Sequence, residues 1–235
     1  MRRCLTISGA VAASILVTDP SAAQTTRYAL ESAKGLELHD AVATAVTHQG
    51  KKGLELRLAP TVAADQPHPA LIVRLGDANF SNGVIEAEIA GVPAPGAGDA
   101  ARGFVGIAFR VQPDDKTYDA FYLRPTNGRA EDQERRNHAA QYISHPDWTW
   151  SRLRQETPSR YESYVDILPD TWTRIKIEVH GTRARLYVNG QQQPTLIVND
   201  VKSGANAKGA VALWFEAGTI AHFRNVVVTA DASGP

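Results

Sequence analysis

The sequence predicts an all-β domain built from two antiparallel sheets, on three observations. Many short segments alternate apolar and polar residues, as strands with one buried face do. Turn-forming residues such as Gly, Pro and Asn separate these segments, and none has a helical period of useful length. The chain has 235 residues, of which 43% are hydrophobic and 21% charged, which is typical of one sandwich or barrel domain.

The first 23 residues have the pattern of a secretory signal peptide. Arg2 and Arg3 precede an apolar run over residues 5–17, and small residues occupy positions 21–23. The pattern predicts cleavage after residue 23 and a periplasmic or secreted protein; the alternative is a disordered tail. The apolar run is too short to span a membrane, and no later run is long enough.

Cysteine usage supports this interpretation. Cys4 is the only cysteine and lies inside the predicted signal peptide. The mature chain is therefore expected to have no disulfide, no cysteine zinc site and no thiol nucleophile, which suits a bacterial periplasm. We predict a signal peptide over residues 1–23, an N-terminal lead-in over residues 24–35, and a single sandwich domain over residues 36–230.

The predicted strands follow one another through this domain. Leu54, Leu56 and Leu58 alternate cleanly after a turn predicted at residues 51–53, and Asn189-Gly190 is a strong tight-turn signal. Because no helical crossovers are available, the sheets are predicted to be antiparallel. The predicted strands occupy residues 28–46, 54–58, 71–75, 84–89, 104–111, 118–124, 172–179, 183–188, 196–198, 209–216 and 220–229.

Two adjacent strands have distinct faces, because side chains alternate along a strand. Phe109 lies on the predicted core face of the first, and Arg110 points the other way. In the next strand Phe121 belongs to the predicted core face, whereas Tyr122 and Arg124 lie on the opposite one. The opposite face is therefore the predicted functional face.

One segment is unlike the rest of the chain. Residues 118–164 crowd arginines, aromatic residues and side-chain amides together. A scaffold does not need such a segment, so we predict that it forms or rims the functional site. The alternative is a folded loop held by internal pairs, such as Arg135 with Glu131 or Glu162.

The late strands resemble those of concanavalin A-like lectin and glucanase domains, through the runs WTRIKIEVHGTRARLYVNG at 172–190 and GAVALWFEAGTIAHFRNVVVT at 209–229. Within that superfamily, the motifs at 83–89, 106–110 and 122–124 are most similar to the bacterial 3-keto-disaccharide hydrolase type of domain. The resemblance covers most of the chain from residue 36 onward. It implies a jelly-roll sandwich whose curved sheet binds sugars on its concave face. The run at 129–150 departs from that family's pattern.

In a jelly roll, the outer faces of the central strands line the groove. The groove candidates are Glu86, Glu88, Arg110, Tyr118, Tyr122, Arg124, Trp214 and Glu216. Sugars pack their C–H faces on aromatic rings and bind their hydroxyls through planar donors and acceptors. Arginines in the segment can also grip a carboxylate or a sulfate in bidentate fashion. The predicted substrate-binding residues are Arg110, Tyr122, Arg124, Arg136, Asn137, Gln141, Trp148, Trp214 and Glu216.

The same resemblance implies candidate catalytic residues. The related glucanases carry the motif E-x-D-x-E, which this chain lacks, so ordinary glucanase activity is disfavoured. A 3-keto sugar needs a base for its acidified C2–H and a cation or donors for the enolate. His138 or Glu162 is the predicted base, and Arg124 or Arg136 is the predicted partner of the enolate oxygen.

Other ligand classes are disfavoured. His138 and His145 with Asp147 or Glu162 match no tight metal motif, so no metal site is predicted. No cofactor is predicted, and the sequence leaves open whether calcium supports the fold. The formal net charge of zero argues against nucleic acid as a partner.

Three functions follow, in order of preference. The first is an exported domain that recognises a carbohydrate on its concave face. The second is a 3-keto-glycoside hydrolase or lyase, which would need a base as well as a binding surface. The third is a protein-interaction domain, because Arg, Trp and Tyr are also favoured at protein interfaces.

Overall fold

The structure is a computed structural model that describes residues 23–62, 70–76 and 79–231. Two antiparallel sheets pack face to face, which confirms the predicted jelly-roll sandwich. The predicted signal peptide lies outside the described residues, apart from residue 23. The strands are β1 Gln24–Tyr28, β2 Leu36–Leu38, β3 Ala41–His48, β4 Lys51–Leu58, β5 Leu71–Leu75, β6 Gly83–Pro93, β7 Val105–Val111, β8 Tyr118–Leu123, β9 Ala140–His145, β10 Glu162–Ser163, β11 Thr173–His180, β12 Arg183–Val188, β13 Leu196–Val198, β14 Ala210–Phe215 and β15 Thr219–Ala230.

The two sheets are interleaved along the chain. The first has the order β13-β12-β11-β6-β15-β4-β3, and β1 adds to it by pairing with β15. The second has the order β10-β9-β8-β7-β14-β5-β2. Residues 24–28, predicted as part of a lead-in, are thus hydrogen-bonded into the first sheet.

The core lies between the sheets and follows the predicted alternation. From the first sheet, Ile89 and Phe223 are fully buried; from the second, Ile107, Phe109 and Phe121 are fully buried. The rings of Phe109 and Phe121 stack with centroids 6.2 Å apart. Burial of this apolar area is the main stabilising contribution to the fold.

Two short helices occur where none was predicted. The helix α1 spans Gln133–Asn137 and the helix α2 spans Trp150–Glu156. The side chains of Asp132 and Thr149 cap them by accepting hydrogen bonds from the third backbone N–H. Both helices are too short to show a helical period, which is why alternation alone missed them.

Four further predictions need correction. The turn predicted at 51–53 lies at Gln49 and Gly50, which have positive φ angles of 48° and 74°. Glu86 and Glu88, predicted in the groove, belong to β6 in the first sheet, because side-chain parity does not tell which sheet a strand joins. The single strand predicted at residues 28–46 is instead the end of β1 followed by β2 and β3, and β2 and β3 belong to different sheets. In addition, β9 was not predicted, because its sequence, AQYISH, does not alternate regularly between apolar and polar residues.

No helix in the described part of the chain is long and apolar enough to cross a membrane.

Candidate functional site

A row of side chains crosses the outer face of the second sheet. The strand registers set Trp214 opposite Gly106, Gly106 opposite Tyr122, Tyr122 opposite Gln141, and Gln141 opposite Glu162. All of these five residues except Gly106 carry large side chains, and these lie on the face of the sheet that is turned away from the core. The row therefore forms the base on which the site is built.

Gly106 makes the aromatic part of this row possible. Tyr122 and Trp214 are two strands apart, yet their rings stack with centroids 4.3 Å apart. A Cβ at Gly106 would lie 2.2 Å from the backbone oxygen of Phe121 and 2.6 Å from the Cβ of Tyr122, so any larger residue would force β8 to shift. Tyr122 and Trp214 are only 1% and 2% exposed, so they lie beneath the surface and support it.

Arg124 is the centre of the site. Its Nη1 donates to the backbone oxygen of His138 at 2.9 Å, and its Nη2 donates to Tyr122 Oη at 2.9 Å and Gln141 Oε1 at 3.0 Å. Its guanidinium also lies 5.7 Å from the ring centroid of Phe104. These contacts hold the cation in one place, which is the condition for electrostatic preorganisation.

Glu162 joins three basic side chains. Arg154 donates to both of its carboxylate oxygens, with Nε 2.9 Å from Oε2, and Arg124 Nη1 lies 3.3 Å from Oε1. His138 Nε2 lies 3.5 Å from Oε2. The Glu162 side chain is only 3% exposed. The carboxylate of Glu162 therefore lies in contact with three basic side chains at once.

His138 ends α1 and borders the cleft. Burial lowers the pKa of its imidazole, and the cations of Arg154 and Arg124 lower it further, against an opposing effect of Glu162. The imidazole is therefore neutral at pH 7 and can accept a proton.

Glu216 follows β14 on the same face as Trp214. Burial raises the pKa of its carboxyl to about 7, and only Arg124 opposes that shift. Its carboxyl therefore exchanges a proton near neutral pH. The cleft thus holds an imidazole with a lowered pKa and a carboxyl group with a raised pKa.

These groups line one cleft of about 490 Å³, a volume typical of small-molecule sites. The loop before β7 contributes Arg102 and Phe104 to the lining, and the helices α1 and α2 contribute Arg135 and Trp150. The complete lining is Ala97, Ala100, Ala101, Arg102, Phe104, Arg124, Asn127, Arg135, His138, Trp150, Arg154, Glu216 and Gly218.

Some predicted site residues lie elsewhere. Arg110 is 1% exposed, and its guanidinium donates to the backbone oxygens of Ser81, Gly181 and Gly204. It therefore fastens surface loops at the other end of the sheet. A second cleft, separate from the first, is lined by both Arg110 and Trp148.

Trp148 offers little free ring surface. Arg152 lies 4.0 Å and Lys202 lies 4.4 Å from its ring centroid. On the outer side of α1, the Nη2 of Arg136 donates to Tyr164 Oη at 3.2 Å. Asn137 is exposed and accepts a hydrogen bond from the side chain of Gln133. The structure thus keeps Trp148, Arg136 and Asn137 out of the cleft.

Several cleft residues were not predicted. Arg154 lies on a helix that the sequence did not reveal, and Arg102 and Phe104 end a loop rich in small residues. Asn127 lies in a short 3₁₀ turn, Pro125–Asn127, and its Oδ1 is buried without a hydrogen-bond partner. The Pro125 that ends the predicted strand was the only sequence signal for this turn.

One group in the described residues offers metal-ligand atoms. His48, Asp170 and His222 place one such atom each within 4.8 Å of one another, on the first sheet and away from the cleft. The two imidazoles stack at 3.9 Å with an angle of 11°, so their lone pairs run side by side. Two imidazoles and one carboxylate are a ligand set that suits zinc better than calcium, which takes six to eight oxygen ligands. One of the two stacked rings would have to turn before both imidazoles could bind the same ion.

The chain belongs to the family of 3-keto-alpha-glucoside-1,2-lyase-like domains, whose model matches residues 57–229. The family and the fold together define a 3-keto-alpha-glucoside-1,2-lyase-like domain built as a jelly-roll sandwich. Among curated protein sequences, none matches this chain.

Solved structures support the fold. A carbohydrate-binding module, CBM66 from Bacillus subtilis, aligns with a TM-score of 0.53 at 14% identity, over 82% of this chain and 93% of that one. A Bacillus subtilis protein of unknown function with a galectin-like fold aligns with a TM-score of 0.54 at 14% identity, over 89% and 96%. The Crh5 transglycosylase without ligand aligns with a TM-score of 0.51 at 13% identity, over 91% and 86%.

Proposed function

We propose that the protein is an exported lyase that cleaves 3-keto-glycosides by elimination across C1 and C2 of the oxidised sugar. The observation that carries the proposal is the pair of His138 and Glu216 in one cleft, beside the fixed cation of Arg124. Family membership supports the same chemistry. Export rests on the N-terminal sequence pattern alone.

His138 acts as the base in this proposal. Its Nε2 faces Glu162, so a proton on Nε2 leaves the lone pair of Nδ1 free, in the manner of other carboxylate-oriented imidazoles. Nδ1 takes the proton from C2, and the electron pair of the C–H bond moves into the enolate formed with the C3 ketone. Glu162, one of the two predicted bases, instead positions His138.

Arg124 stabilises the enolate. The negative charge develops on the C3 oxygen, and a guanidinium that is already fixed by several hydrogen bonds needs no reorganisation to face it. Arg136, the other predicted partner, binds Tyr164 outside the cleft and takes no part in the proposal.

Glu216 acts as the acid. As the C1–O bond breaks, the C1–C2 double bond forms, the C3 ketone returns, and the aglycone oxygen takes the proton of Glu216. The products are an unsaturated 3-keto sugar and the free aglycone. Addition of water across the new double bond would complete hydrolysis.

A substrate panel tests this proposal. The mature protein is incubated with a 3-keto-glucoside and with the parent glucoside, and the released aglycone is quantified by chromatography. We expect release from the 3-keto substrate only, because the parent sugar lacks an acidified C2–H. Release from neither substrate, or from both at similar rates, would refute the proposal.

A binding module without catalysis is the second candidate, and it was the first preference from the sequence. The unpartnered Oδ1 of Asn127 and the aromatic rings of Phe104 and Trp150 in the cleft favour a sugar ligand in either case. Saturable binding of sugars in the same panel without any product would identify this function.

The protein-interface alternative receives less support. The large exposed hydrophobic residues of the described chain are spread over strands of both sheets, a helix and loops. Scattered exposed hydrophobic residues are normal on soluble proteins and do not mark an interface. They are Leu38, Val42, Trp150, Tyr164, Leu168 and Ile197.

A further inference from the structure

The lining of the cleft has an excess of positive charge. Four arginines line it, and Glu216 is the only acidic residue in the lining. Glu162 lies beneath the surface and pairs directly with two of them, Arg124 and Arg154. Within residues 23–62, 70–76 and 79–231, no carboxylate pairs with Arg102 or Arg135, although both lie in the lining.

Arg102 and Arg135 both line the cleft, Arg102 from the loop before β7 and Arg135 from α1. Arg102 ends the loop that leads into Phe104, and its Nη1 donates only to the backbone oxygens of Asp99 and Ala101. Burial lowers the pKa of Arg102, and the charges of Arg135 and Arg124 lower it further. Asp99 has the opposite, smaller effect on this pKa, so Arg102 lies close enough to both cations to be repelled by them.

Arg135 also has an unused donor. Its Nε is buried and has no hydrogen-bond partner, and the pairing with Glu131 or Glu162 considered from the sequence is not formed. Buried donors and buried charges are normally satisfied, because leaving them unpaired costs free energy. A ligand that brings acceptor oxygens and a negative charge would satisfy both requirements.

We propose that the cleft selects sugars that carry an anionic group, a carboxylate or a sulfate ester, which Arg102 and Arg135 bind together. The planar guanidinium fork matches the paired oxygens of either group. This inference rests on the proposed function for the position of the reacting sugar next to His138. The anionic group lies beside that sugar, next to Arg102 and Arg135.

Binding of unoxidised sugars tests the inference without requiring turnover. Isothermal titration compares a uronic acid disaccharide with its carboxyl-reduced neutral analogue, and a sulfated disaccharide with its desulfated form. We expect the wild-type protein to bind at least one of the anionic ligands about tenfold or more tightly than its neutral partner. The two pairs distinguish a carboxylate site from a sulfate site.

Arg102→Gln, Arg135→Gln and the double variant follow, with Arg129→Gln as a control. Arg129 pairs with Asp166 on the surface and does not line the cleft, so its substitution removes the same charge elsewhere. We expect each cleft substitution to reduce the anion preference and the double variant to abolish it, while Arg129→Gln retains it.

Folding is monitored by thermal unfolding. Because Arg102 and Arg135 repel each other and form no salt bridge with a carboxylate in the described residues, their substitution is expected to leave the Tm unchanged or to raise it. A wild-type protein that binds the anionic and neutral ligands equally, or that binds neither, overturns the inference, and so does a double variant that keeps the preference. No ligand in this test is a 3-keto sugar, so the binding results can be interpreted even if the lyase proposal is wrong.

Discussion

Glu216→Gln should reduce kcat on a 3-keto-glucoside with an alkyl aglycone by about 10²–10⁴-fold, the usual contribution of a general acid. The amide has the same shape as the carboxyl group but no proton to give to the departing oxygen. With a 4-nitrophenyl aglycone the loss should be much smaller, because that leaving group departs without protonation. Steady-state kinetics on the two substrates measures the difference.

The pH dependence of kcat is a second test of the role of Glu216 as the acid. An acid must be protonated to act, so wild-type kcat should fall as the pH rises through about 7, the pKa to which burial raises Glu216. A base must be unprotonated, so activity should also fall as the pH drops through the lowered pKa of His138. Glu216→Gln should lose the basic limb and keep the acidic limb.

The Glu216→Gln substitution should also increase the stability of the protein at high pH. The carboxyl of Glu216 has a pKa of about 7 in the folded protein and an ordinary value of 4.5, so its favourable contribution is complete below pH 4.5 and is lost as the pH rises through 7. At pH 8 the Gln variant should therefore be more stable than wild type, by about 2 kcal/mol after allowance for partial solvent contact.

Glu86→Gln is the matched control for these measurements, because Glu86 is exposed on the other sheet. It should change neither the kinetics nor the pH dependence of stability. Equal activity of Glu216→Gln and wild type on the alkyl substrate would show that Glu216 is not the acid.

Glu162→Gln should destabilise the fold by about 3 kcal/mol, the usual cost of removing one member of a buried ion pair. The change leaves the guanidinium groups of Arg124 and Arg154 facing each other without a carboxylate. In a domain of this size the Tm should fall by roughly 6–12 °C. Thermal unfolding at pH 7 measures this effect.

A positioning role for Glu162 has its own readout in kinetics below the Tm. The carboxylate of Glu162 raises the pKa of His138, so its loss should move the acidic limb of the rate profile to lower pH. At the same time kcat should fall more than KM rises, because the imidazole loses its orientation. Asp166→Asn breaks the exposed pair with Arg129 and should change neither property. A Tm equal to that of wild type would show that Glu162 does not hold this network.

Much of the fold was predictable because one face of most strands is polar. The burial of β11 alternates along Ile175, Ile177 and Val179, as the sequence indicates. The parity rule also assigned Phe121 to the core and Tyr122 to the opposite face. The strand β9 was missed because its sequence, AQYISH, does not alternate regularly between apolar and polar residues.

The site was only partly predictable, because its residues are brought together by long-range pairing. Arg124, His138 and Glu216 were identified, since an arginine, an imidazole and a carboxyl are chemically conspicuous. Arg102 and Arg154 were not, because one lies in a loop of small residues and the other on a short helix. Nothing local in the sequence indicates that their guanidinium groups meet at one cleft.

The burial of Tyr122 and Trp214 was not predictable either. An aromatic pair on the outer face of a curved sheet is expected to be an open sugar platform. In the structure the two rings stack on each other across Gly106 and lie under the site. Only a residue as small as glycine between them allows this, and its effect depends on the strand register.

Exchange of the C2 proton tests the central claim most directly. Glu216→Gln and His138→Gln are each incubated in D₂O with a 3-keto-glucoside that has an alkyl aglycone, and the recovered substrate is examined by NMR. The Glu216 variant should gain deuterium at C2, because abstraction continues while departure of the aglycone is slowed, and C4 provides the internal reference. The His138 variant should gain none above the buffer background. Exchange at C2 that proceeds equally in the His138 variant would contradict the account.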